Sequence, residues 1–200
     1  MPDDHMDQWP RFKMVTYAAP TGIPNGWDAE LLEKGAPDGL GCTAFRELTL
    51  FEHPDAGPLV CFGEGHLVDT YVCLDPRTKQ VVDVVYGAFK TGDSQPTFVG
   101  PASVVNSSLD QFIASVRAAT ERFPYDSEVS GRGHRSAEDE EERDERRFNE
   151  WAEAVLELGE ILDRIDPATP VRGDEYWGVF LADVGMGNFA SETWVDKTEP

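Results

Sequence analysis

Positive charge is what this sequence has least of. Seventeen lysines and arginines stand against 38 aspartates and glutamates in 200 residues, a formal net charge of −21. Phosphate backbones are gripped by clustered cations, so the balance argues against a nucleic-acid partner. It argues equally against an anionic membrane surface. A basic protein would be drawn in, and such steering raises association rates roughly 10–10³-fold at low salt. Solubility alone is the plain alternative reading of the charge. Cysteine is scarce too: Cys42, Cys61 and Cys73 are an odd number, with no C-x-x-C spacing. That excludes a disulfide framework and a cysteine-only zinc site, and it fits a reducing compartment. No apolar run approaches the ~20 residues that a membrane helix needs. Residues 1–10 are acidic and lack the apolar stretch of a secretory signal. A cytoplasmic location is the expectation.

The motifs of catalysis are also missing. His5, His53, His66 and His134 are far apart, without the H-x-x-x-H spacing that sets two ligands on one helix face. No G-x-S-x-G elbow occurs. Cys61 and His66 are close in sequence, but Cys61 lies in an apolar run that disfavours its thiolate. Gly63-Glu64-Gly65 and Gly185-Met186-Gly187 lack the Gly-Lys-Ser/Thr of a phosphate loop. The first reads as a hairpin turn, the second as a helix stop. No catalytic, cofactor-binding or metal-ligating residue is expected, and no cofactor.

Apolar residues make up 40% of the chain and come in blocks, so a core is expected. Residues 1–25 carry four prolines and read as a weakly ordered N-terminal segment. Asn25 or Asp28 can cap a short helix at residues 29–34, stopped by Gly35 and Pro37. Strand-like runs follow at residues 44–51, 59–62, 71–74 and 81–86, with further candidates at 98–99 and 104–105. Asp75-Pro76 and a three-residue loop join two of them as an antiparallel hairpin. The continuous runs predict strands covered on both faces, or a sheet face covered by helices.

From Ser107 the period becomes helical. Ser108 and Gln111 form a capping-box pair, and Leu109, Phe112, Ile113, Val116, Ala119 and Phe123 share a face. After a polar linker, Ser136 and Asp139 offer a second capping box. The acids Glu138, Asp139, Glu140, Glu141 and Glu142 then suit the positive end of a helix dipole. They are the candidate docking patch for a basic protein, chosen on charge alone, although a solvated helix face is the plain reading. Phe148, Trp151, Val155, Leu158, Leu162 and Ile165 recur at spacings of 3, 4, 3, 4 and 3, as in an a/d seam. Burying all six would contribute about 10 kcal/mol gross, so the helix is expected to dock, on the protein's own sheet in the first place and on a partner as the alternative. A last helix is predicted over 174–184.

Val104-Val105-Asn106-Ser107-Ser108-Leu109-Asp110-Gln111-Phe112-Ile113 resembles the hydrophobic-Asn-Ser-Ser-Leu-x-x-Phe signature of the fourth subgroup of SUKH superfamily immunity proteins. Other pieces resemble that family in its order. They are Leu32 to Pro37, with Ala36 where leucine is usual, Leu59 to Gly63, Tyr71 to Asp75, Gln80-Val81-Val82, Asp166-Pro167, and Tyr176 to Val179. The resemblance implies one α+β domain, a mainly antiparallel sheet packed by helices, with a C-terminal helical extension. It implies a non-enzymatic role: binding and blocking a toxin domain, often one that acts on nucleic acid. A regulatory or scaffolding module on the same fold is the alternative. The expected layout is a weakly ordered segment at 1–25, the core at 26–124, a linker at 125–137, C-terminal helices packing on the core at 138–187, and a tail at 188–200. Of the signature residues, Asn106 should fix the strand-to-helix turn, Ser107 or Ser108 should cap the helix, and Leu109 and Phe112 should be core.

Overall fold

The computed structural model describes residues 10–67, 69–87, 97–126, 137–169, 171 and 173–189, with the backbone alone for 137–141. Strand β1 (Lys13–Val15) opens the described chain and pairs antiparallel with β2 (Ala36–Asp38). Lys13 reaches Asp38 at 2.6 Å across that pair. Part of the segment read as weakly ordered is therefore a strand, because the short β2 gives its backbone groups partners. Helix α1 (Ala29–Lys34) lies between them. Asp28 stands at its N-cap, yet its side chain accepts no capping hydrogen bond.

Five strands then form an antiparallel meander: β3 (Cys42–His53), β4 (Gly57–Gly65), β5 (Thr70–Leu74), β6 (Val81–Val85) and β7 (Ser103–Asn106). The order follows the chain, as short connections favour. Successive side chains point to opposite faces. Val60, Phe62, Val72, Leu74 and Val81 enter one buried cluster, and Leu59, Cys61, Cys73, Val82 and Val84 enter another. The continuous apolar runs are thus strands covered on both sides. The Asp75 carboxylate shapes the β5–β6 turn by accepting from the Arg77 amide at 2.8 Å.

Gly63 and Gly65 lie within β4 and are not a turn. At Gly63 the register slips against both neighbouring strands or close beside them. A Cβ there would sit 2.8 Å from the Thr43 carbonyl oxygen and 2.9 Å from the Cys42 sulfur. Glycine is needed for that close approach, which a hairpin-turn reading of Gly-x-Gly misses.

Helices cover the first face. Helix α2 (Leu109–Glu121) contributes Leu109, Phe112, Val116 and Ala119 to its core, all fully buried. Helix α3 (Ala137–Ile165) contributes Leu158 and Leu162, and α4 (Tyr176–Gly185) contributes Tyr176, Trp177, Phe180, Leu181 and Val184. A buried ion pair, Arg147 to Asp126 at 3.3 Å, fastens α3 beside the end of α2. Helix α4 runs antiparallel along α3: Leu181 lies over Gly159, Gly185 over Val155, and Gly187 against the Trp151 ring. Gly187 has φ +75°, which turns the chain away there. The seam read from the sequence ends at the same place. Leu158 and Leu162 are buried and Trp151, Val155 and Ile165 half-buried, but Phe148 is 62% exposed. Helix α4 stops one turn too soon to cover it.

Candidate functional site

The signature residues build a polar knot where three helices meet the sheet. Asn106 closes β7 and is 1% exposed. Its side-chain amide donates to Asp166 Oδ2 at 3.2 Å, and its Oδ1 accepts from Trp177 Nε1 at 3.0 Å. The Ser107 amide donates to Asp166 Oδ2 at 2.5 Å, and its hydroxyl donates to Asp166 Oδ1 at 2.9 Å. Burial acts to raise the Asp166 carboxyl, but the hydrogen bonds it accepts outweigh that and hold it below its ordinary value. One carboxylate past the end of α3 thereby fixes the start of α2 and, through Asn106, the start of α4.

Ser108 is the N-cap of α2, its Oγ accepting from the Gln111 amide at 3.3 Å. The reciprocal half of the capping box is not formed. Gln111 accepts from the Ser108 hydroxyl at 2.8 Å and sends its amide to the Ile165 carbonyl at 3.3 Å. Leu109 and Phe112 are fully buried. The knot holds elements together: Asn106, Asp166 and Trp177 are buried, and Ser107, Ser108 and Gln111 are half-buried and hydrogen-bonded within it.

The groups that could do chemistry are kept apart. Cys61 faces Cys73 across the β4–β5 pair, on the sheet face away from the helices. The His66 ring lies edge-on to Tyr176 and Phe180, at 4.6 and 5.3 Å between centroids, on the helix side. The sheet therefore separates this cysteine from this histidine. Burial lowers His66 to about 4 and pushes the Cys42 and Cys73 thiols well up, so the first is neutral and the others are unreactive near pH 7. Among the described residues, no three of His, Cys, Asp and Glu are grouped to hold a metal ion. Asp83 shares the strand parity of Val81 and so points under the helices. It is 8% exposed, its Oδ1 has no hydrogen-bond partner, and burial raises its carboxyl to about 6.

The outer side of α3 is exposed and strongly charged. The helix carries twelve acids and four arginines, a net charge of −8 within its 29 residues. The side chains of Glu138, Asp139, Glu140 and Glu141 lie outside the described residues, as do Ser136 and most of the linker. Glu142 is exposed, as are Asp144, Glu145, Glu153, Glu157, Glu160 and Asp163 further along. The acidic surface therefore extends well beyond the first turn. Acids placed four residues apart repeat a helix face, a signal present in the sequence but overshadowed by the denser run before it.

The fold defines a single α+β domain, a five-stranded antiparallel sheet packed by helices, with a strongly acidic outer helix. The family model described as SUKH-4 immunity protein matches residues 13–183, and the chain belongs to that family. Membership implies toxin immunity and a protein toxin as partner, and immunity proteins of this family are generally non-enzymatic. Neither a search of curated proteins nor one of solved structures returned a match. No helix among the described residues is long and apolar enough to cross a membrane.

Proposed function

We propose that this chain binds and neutralises a cognate toxin domain, a basic one that acts on nucleic acid, by covering its active surface in the cytoplasm. The observation that supports this reading is the charge of α3, −8 over one helix within a chain of −21. A domain that grips nucleic acid gathers lysine and arginine around its active surface. An acidic helix competes for those cations and hastens encounter. First contact is assigned to the start of α3, at Glu138, Asp139, Glu140, Glu141 and Glu142.

The test is recovery of the tagged protein from its native cells at about 50 and 200 mM salt, a range over which charge-driven contacts weaken strongly. A basic toxin domain bound at the lower salt and weakened at the higher is expected. Co-expression should then protect cells from that domain, and reversing the five charges at 138–142 should slow association. Recovery of housekeeping or signalling proteins instead would point to a regulatory module and overturn the reading.

A further inference from the structure

Residues four apart on a helix form one row along its surface. One such row of α3 reads Asp144, Phe148, Ala152, Leu156, Glu160, and all five are exposed. Phe148 is 62% exposed and Leu156 70%. The row spans about 12 Å from Phe148 to Leu156, at ~1.5 Å rise per residue. On one side runs a parallel row, Glu145, Asn149, Glu153 and Glu157, also exposed. On the other lies the end of α4, where Gly185 meets Val155, Gly187 meets Trp151, and Met186 between them is 65% exposed. Among the described residues six large apolar side chains are exposed; two of them, Phe148 and Leu156, lie on this row, and a third, Met186, stands at the adjoining end of α4. A strongly charged helix gains nothing in solubility from an outward phenylalanine and leucine. An apolar strip edged by carboxylates along one side and at both ends has the form of an interface centre with a polar rim.

We infer that Phe148, Ala152 and Leu156, with Met186 beside them, form the apolar centre of the partner interface, and that it takes a basic protein surface bearing exposed apolar side chains. The identity of that partner as a toxin rests on the reading above; the surface itself does not. Charge selects the occupant. A second copy of this chain would bring another −21 to the same rim. Residues 190–200 of this chain hold three acids and one lysine, a composition that does not match a basic occupant. A basic surface is attracted by Asp144, Glu145, Glu153 and Glu160, although Arg164 stands 3.7 Å from Glu160 and Arg122 stands 3.4 Å from Glu157. The carboxylates then govern arrival, and the desolvated phenylalanine and leucine govern residence.

The experiment uses the full chain and three 18-residue peptides: an amphipathic Lys/Leu helix, a Lys/Gly peptide of equal charge, and a Glu/Leu helix. The double variant F148S/L156S changes exposed side chains only and should keep the urea midpoint of the parent. It should weaken the Lys/Leu peptide by about 30-fold, mostly through faster dissociation, and leave the Lys/Gly peptide unchanged. E145K/E153K should weaken both basic peptides by slowing association, and the Glu/Leu helix should not bind. Equal affinity of parent and F148S/L156S for the Lys/Leu peptide would overturn the inference. So would a dimer of the parent chain that F148S/L156S disperses, because a second copy would then be the occupant. Ridge-dependent peptide binding without a toxin in native cells would sink the immunity reading and leave this surface standing. A toxin bound equally well by F148S/L156S would do the reverse.

Discussion

Replacing Asp166 by asparagine tests how much the polar knot contributes. The carboxylate is 1% exposed and accepts at Oδ2 from the Ser107 amide and the Asn106 side chain. At Oδ1 it accepts from the Ser107 hydroxyl and the Ala168 amide. In Asp166→Asn one of these oxygens becomes an NH₂ group. If Oδ1 is kept, the new amide faces two donors that lie at 2.5 and 3.2 Å in the parent, and neither can turn away. A buried polar group left unpaired costs ~1–3 kcal/mol, so the expected loss is about 3 kcal/mol at pH 7. That is a large share of the ~5–15 kcal/mol by which domains are stable. Urea unfolding followed by tryptophan fluorescence reads it directly. At a slope of about 2 kcal/mol/M the midpoint should fall by about 1.5 M. The folded carboxyl is held below its ordinary value, so its contribution is complete above the unfolded value of about 3.9 and is lost as pH falls through the folded one. The gap between parent and variant should therefore be full at pH 7 and shrink in acid. A midpoint shift under about 0.3 M at pH 7 would refute the assignment of Asp166 as the joint between α2 and α3.

Two further predictions concern single side chains. Ser108→Ala removes the N-cap acceptor of α2 and should cost about 1 kcal/mol, lowering Tm by roughly 2–4 °C, and an unchanged Tm would remove the capping role. Asp83→Asn should be stabilising near neutral pH. Burial raises the folded carboxyl to about 6, above the unfolded value of ~3.9, so the penalty is full above pH 6 and is relieved as pH falls towards 4. The gain should be about 1–2 kcal/mol at pH 8, below the ~3 kcal/mol that the shift alone implies because the new amide is still under-bonded, and it should fade by pH 4. Thermal melts at both pH values check it, and a gain independent of pH would contradict the titration.

Much of the domain was legible because the controlling interactions are local. The apolar face of α2 and its capping serine lie within a few residues of one another, so periodicity and one hydrogen-bonding side chain announce the helix at Leu109. The runs at Val60 and Val72 announced covered strands, since a strand with one face in water tends to alternate apolar with polar residues. Gly63 was misread because glycine marks a turn and a close backbone approach alike. The choice depends on Thr43 and Cys42, twenty residues away in sequence and in contact only across the sheet. Phe148 was misread because a heptad seam continues on paper past the point where its neighbour stops, and the length of α4 decides which residues are covered.

The sequence by itself determined the acidic character of the surface and the order of the elements, since charge and period are sums over neighbours, and the class of protein was legible only through the resemblance carried by Asn106 to Phe112. The tertiary structure alone decided that Asp166 serves Asn106 and Ser107 across about sixty residues, and that Cys61 and His66 lie on opposite faces of one sheet. It decided, too, that a phenylalanine and a leucine of α3 face outward among carboxylates. Each of these depends on which surfaces meet when the chain closes, and no spacing along the chain carries that information.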